Sequence, residues 1–161
     1  YLKENRENYT KRKIEFLYQI IKICLEIKSA VVEQDEKEHG LRKILNFGHT
    51  FGHALEEETK YKRYTHGYAV ILGIMYAFNY AYNKGICKKG YYDEAYTLLY
   101  IYGYEPDKFL FVNKKHVLKY MQTDKKASNN QITFILPSKA GEVTENKTTI
   151  NELNFDINYI R

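Results

Sequence analysis

Between about residues 10 and 32, Ile14, Leu17, Ile20, Ile21, Cys24, Leu25, Ile27 and Val31 recur at intervals of three and four, the spacing that lines one side of an α-helix. Lys and Glu fill many of the other positions, so the pattern predicts a long amphipathic helix with a solvated face. EQDEKEHG (33–40) then leads the chain out through charge and a glycine. Residues 41–45 read as a helix or a turn leading in, and 46–58 as a second helix despite Gly48 and Gly52. After the polar, basic link YKRYTHG, an apolar helix runs from about Gly67 to Tyr82 and ends at NKG. Further helices are predicted at 90–101, at 106–111 after a turn at GYEPDKF, and at 114–122, where Asn113 can act as the cap. Only QITFILP (131–137) alternates like a strand, with KAGEVTEN as its return, and TINELNFDINYI reads as a weak closing helix. The sum is a mainly α, multihelical domain with a small β-hairpin near the C-terminus, one domain over residues 1–161.

At 161 residues the chain is long enough for one domain with a real core and short for two. A formal charge of +5 comes from 25 basic and 20 acidic residues, mixed along the chain rather than massed. That mixture suits an anionic small molecule better than a nucleic-acid surface. The 17 tyrosines do not change this reading, since the glycine and basic context of an RNA-binding sheet is missing. Cys24 and Cys87 lie far apart with no CxxC, which reads as reduced thiols and a cytoplasmic protein. The most apolar run, AVILGIMYAF (69–78), is too short to span a bilayer, and no membrane role is expected. A dinucleotide-binding glycine turn and a phosphate-binding loop are both absent, so the chain shows no cofactor domain of its own. The first residues enter a long helix with almost no lead-in, and a piece of a longer polypeptide is expected.

The chemistry concentrates in LNFGHTFGHALE (45–56). If this segment is one helix, Asn46, His49 and His53 share a face, while Gly48 and Gly52 weaken the helix and remove bulk. Close approach of another backbone or of a ligand would explain the glycines. Two imidazoles one turn apart are a ready pair of metal ligands, and His66 in THG offers a third. The spacing alone leaves open a second reading, in which one histidine is buried and satisfied and the other solvated. Lys28, Arg42, Lys125 and Lys126 are each ordinary surface charges by default; beside a histidine site they suggest an anionic ligand.

Three blocks in order, EIKSAVVEQDEKEHGLRKILNFGHTFGHALE, THGYAVILGI and MQTDKKASNNQITFILP, resemble the C-terminal domain of 3-dehydroquinate synthases over roughly residues 20–140. The resemblance implies an N-terminal NAD-binding α/β domain outside this chain, an active site in the cleft between the two domains, and a homodimeric bacterial enzyme of the shikimate pathway. It implies conversion of 3-deoxy-D-arabino-heptulosonate 7-phosphate to 3-dehydroquinate and phosphate, with NAD and one Zn2+, or another divalent metal such as Co2+. Carried over by motif, His49 and His66 match metal ligands. Lys28, Asn46 and His53 match catalytic positions, and Arg42 and Lys125 with Lys126 match positions that bind the anionic sugar-phosphate substrate.

Two departures follow from the same resemblance. The family's third metal ligand, a glutamate in an AEVIK-like segment, has no counterpart here, so the fragment alone is expected to be inactive. Tyr68 stands where the family has glutamate in HGEAV, which removes a carboxylate beside His66 and implies either weaker metal binding or a substitute partner. The competing readings are another sugar-phosphate cyclase, a metal-dependent polyol dehydrogenase relative, and a non-catalytic helical interaction domain.

Overall fold

The computed structural model describes residues 1–124 and 131–153. Six α-helices are followed by a β-hairpin: α1 (Arg6–Thr10), α2 (Ile14–Gln34), α3 (His49–Glu58), α4 (His66–Asn83), α5 (Lys89–Ile101), α6 (Lys114–Asp124), β1 (Gln131–Lys139) and β2 (Glu142–Thr149), with 3-10 turns at Lys3–Asn5, Leu41–Asn46, Pro106–Phe111 and Ile150–Glu152. The mainly helical class with a late hairpin is as the sequence predicts.

The core forms where α3 and α4 cross. Phe51, Ala54 and Leu55 of α3 meet Ala69, Leu72, Met75 and Tyr76 of α4, all buried, and Phe51 stacks on Tyr76 at 4.4 Å between ring centroids. Gly73 allows that approach, because a Cβ there would strike the carbonyl oxygen of Gly48. At Gly52 an added Cβ would lie 3.2 Å from the backbone of Ala69 and Val70. The side chains that the two α3-region glycines lack therefore leave room for the α4 backbone, as their helix penalty had suggested. The hairpin closes one side, with Ile132, Phe134 and Leu136 buried and Phe134 5.8 Å from the Tyr80 ring of α4. Its strands pair antiparallel from Gln131↔Thr149 to Pro137↔Val143, with an irregularity between Pro137 and Lys139. The return strand runs three residues further than KAGEVTEN.

Three expectations need correction. The long first helix does not start at residue 10: α1 ends at Thr10, Arg12 adopts φ 49°, and α2 starts at Ile14. A left-handed residue cannot continue a right-handed helix. The apolar stripe of α2 is also not a core face within this chain. Phe16 and Val31 are buried, but Ile14, Ile21 and Leu25 remain 76%, 59% and 62% exposed. Finally, the predicted helix 46–58 is two pieces. Asn46 ends the 3-10 turn, Gly48 turns left-handed at φ 80°, and α3 begins at His49. An added Cβ at Gly48 would lie 2.6–2.8 Å from Ile74 and Val70, so both the conformation and the space require glycine there.

The other boundaries agree within a residue or two. Thr65 caps α4 through its hydroxyl, which accepts from the Tyr68 amide, and Asn113 Oδ1 accepts from the His116 amide at the start of α6. The closing helix is seen only as the turn Ile150–Glu152; residues 154–161 lie outside the described residues. Cys24 is exposed and Cys87 buried, and neither is in a disulfide.

Candidate metal and anion site

The break at Gly48 sets the site geometry. Because α3 starts at His49, its inward stripe is not Asn46, His49, His53 but His49, His53 and Glu56, spaced four and three. His66, first residue of α4, faces the same space across the glycine contact. The three imidazoles pack together, with ring centroids 5.4 Å (His49–His53), 5.5 Å (His49–His66) and 5.8 Å (His53–His66) apart. One ligand nitrogen from each lies within 4.8 Å of the other two.

Two of the rings have a fixed outer nitrogen. His49 Nδ1 lies 3.2 Å from the Phe47 carbonyl oxygen, and because a carbonyl only accepts, the hydrogen bond requires Nδ1–H and leaves the Nε2 lone pair inward. His66 Nδ1 lies 3.2 Å from both carboxylate oxygens of Glu56. Burial lowers the pKa of His49; the Phe47 carbonyl opposes that, and the charges that His53 and His66 can carry add to the lowering. A neutral imidazole is the form that ligates a metal. Three imidazole nitrogens converging in this way fit a borderline divalent ion such as Zn2+ or Co2+, and a hard oxygen-seeking ion such as Ca2+ poorly.

Beside the histidines opens a cavity of about 470 Å³, lined by Cys24, Ile27, Lys28, Glu38, Arg42, Leu45, Asn46 and His49. Four of the residues singled out from the sequence, Lys28, Arg42, Asn46 and His49, thus share one wall. Lys28 projects from α2, and its ammonium has no partner among the described residues. Arg42 is held at both ends by the loop that precedes it: its amide donates to Asp35 Oδ2 at 3.0 Å, and its guanidinium donates to the Glu36 carbonyl. Asn46 Nδ2 donates to Glu38 Oε1. The turn that carries Asn46 is tied to the hairpin by the Lys43–Glu145 ion pair at 3.0 Å. Two cations against one carboxylate leave the wall net positive, which suits an anion. Lys125 and Lys126 lie outside the described residues.

Tyr68 points away from the histidines. Its ring stacks on Tyr64 and meets Tyr104 edge-on, and its hydroxyl accepts from the Glu105 amide at 3.2 Å. The carboxylate beside His66 comes instead from Glu56, which the sequence reading passed over inside the acidic run EEE. The signal available was its position, seven residues after His49 and three after His53, on the ligand face.

The family model described as "3-dehydroquinate synthase C-terminal" matches residues 1–127. A 3-dehydroquinate synthase of Alkaliphilus metalliredigens is 42% identical over 153 residues, covering 95% of this chain and 43% of the relative. One of Caldanaerobacter subterraneus is 41% identical over 143 residues, covering 89% of this chain and 40% of the relative. The chain therefore spans about two fifths of the length of these relatives. Among solved structures, a 2-deoxy-scyllo-inosose synthase complexed with carbaglucose-6-phosphate, NAD+ and Co2+ superposes with a TM-score of 0.71 at 27% identity, covering 81% of this chain and 36% of that one.

Proposed function

The chain belongs to the 3-dehydroquinate synthase C-terminal family, and from that premise we propose that it forms the metal- and substrate-binding half of a 3-dehydroquinate synthase. The reaction is the conversion of 3-deoxy-D-arabino-heptulosonate 7-phosphate to 3-dehydroquinate and phosphate. The observation that carries the reading is the shared wall: Lys28, Arg42 and Asn46 line one cavity with His49, which belongs to the histidine cluster. A site that grips an anion beside a divalent ion is what phosphate elimination from a sugar acid needs. Identity near 40% to synthases named for the dehydroquinate product, against 27% to an inosose-forming cyclase, favours that product over a different carbocycle.

In this reading His49 and His66, with His53 adjacent, hold a divalent ion, Zn2+ or Co2+, and the remaining ligand and the NAD site lie in the part of the protein outside this chain. The ion supplies Lewis acidity to substrate oxygens and NAD supplies hydride transfer. Arg42 grips a carboxylate or phosphate through its planar fork, and Lys28 contributes a point charge to the same anion. Asn46 orients a hydroxyl through its amide, and its present bond to Glu38 Oε1 keeps that amide in the wall until substrate arrives. His53 moves a proton at a substrate oxygen. Lys125 and Lys126, by their match to the family's motif, add positive charge for the same anion.

The test is phosphate release from the heptulosonate phosphate, in the presence of NAD, by a polypeptide carrying this chain joined to its nucleotide-binding domain. Release is expected, and a chelator stops it. His49→Ala lowers kcat at least 100-fold, and Lys28→Ala raises KM. Turnover by these 161 residues alone would refute the division of labour. Release that a chelator leaves untouched would refute the metal.

A further inference from the structure

We propose that Glu56 is the positioning residue that sets the tautomer and ring orientation of His66; the role at the metal rests on the reading that the imidazoles hold a divalent ion. Glu56 sits in the last turns of α3 with its side chain only 7% exposed, whereas the His66 ring is 58% exposed at the mouth of the site. A carboxylate this buried has to be paired or hydrogen-bonded, because desolvating an unpaired charge is strongly unfavourable. Among the described residues its carboxylate has one hydrogen-bonding partner, His66 Nδ1, at 3.2 Å from each oxygen.

Both oxygens can only accept when ionised, so the contact requires the proton on Nδ1 and directs the Nε2 lone pair towards His49 and His53. An exposed imidazole on the first residue of a helix has no other restraint of comparable strength on this side. Tyr68 cannot supply one, since its hydroxyl is engaged at Glu105. The carbonyl of Phe47 does the same service for His49. The two ligand rings are thus fixed by unlike acceptors, one neutral and one anionic.

The experiment uses the 15N-labelled polypeptide in which this chain is joined to its nucleotide-binding domain, so that the remaining ligand is present, with His66 tautomers read from long-range 1H–15N correlations at pH 8 and Co2+ affinity read from visible absorption. The wild type is expected to carry the His66 proton on Nδ1. Glu56→Met, which keeps the length but removes both acceptor oxygens, is expected to move His66 towards the Nε2–H form and to weaken Co2+ binding 10- to 100-fold. His49 signals and the far-UV circular dichroism stay unchanged in that variant. A wild-type His66 protonated on Nε2, or on both nitrogens, overturns the assignment without any variant. So does a Glu56→Met protein with unchanged tautomer, whatever its Co2+ affinity. If the wild type binds no Co2+, the metal reading of this chain fails, and the tautomer comparison still decides what Glu56 does.

Discussion

Three backbone amides, those of His39, Gly40 and Arg42, converge on the carboxylate of Asp35 at 2.8–3.0 Å. That one side chain folds the exit from α2 into the loop that delivers Arg42 to the cavity wall. The amide of Arg42 first, and then that of Gly40, hold the Asp35 carboxyl below its usual range. The folded-state pKa is depressed, so the stabilisation is fully present above the ordinary carboxylate pKa of about 4 and fades as pH falls through the lower folded value. Asp35→Ala is expected to speed amide exchange at Gly40 and Arg42 at neutral pH, measured by NMR. The difference from wild type should disappear under acid conditions where the wild-type carboxyl is itself protonated. At this scale the sequence was legible for residues whose chemistry is conspicuous. Lys28, Arg42, His49 and His66 stand out in the sequence as candidates, and the first three line one wall. Asp35 and Glu56 do not stand out, because each sits in an acidic run that reads as solvated surface, and only the fold shows that Glu56 turns inward and that Asp35 gathers the loop amides.

Among the elements, periodicity correctly gave the number of long helices and the late hairpin, since burial against a core imposes its period on the sequence. It misplaced two breaks, at Arg12 and at Gly48. The first rests on a non-glycine residue with positive φ, which no local pattern marks. The second had a marker, the glycine, that reads equally well as helix spacing for close packing. The consequence for Asn46 is direct: it reaches the cavity from a 3-10 turn, not from the helix that holds the histidines. Periodicity also cannot say what a face meets. The stripe on α2 and the stripe on α4 look alike in sequence, yet Leu25 is 62% exposed and Leu72 fully buried. Leu25→Glu is therefore expected to change stability by no more than about 0.5 kcal/mol. Leu72→Ala should cost about 2–5 kcal/mol; thermal denaturation of both variants checks the contrast.

For the molecule as a whole, no helix among the described residues is long and apolar enough to cross a membrane, and the cavity and the histidine cluster lie on adjoining parts of one surface. His49 and His66 belong to different helices, and what fixes their separation is the glycine contact between Gly48, Gly52 and Gly73. Alanine at either position 52 or 73 forces α3 and α4 apart. Once the methyl at 73 has opened the gap, the one at 52 enters space already made. The stabilities of Gly52→Ala, Gly73→Ala and the double variant should then fail to add, with a coupling of about 0.5–3 kcal/mol in the direction that makes the pair milder than the sum. Chemical denaturation of the four proteins measures it. Sequence change at the two positions is epistatic and depends on order: an alanine at 73, whose Cβ would strike the Gly48 carbonyl oxygen, makes the room that one at 52 needs at 3.2 Å, whereas an alanine at 52 leaves most of the penalty at 73 in place.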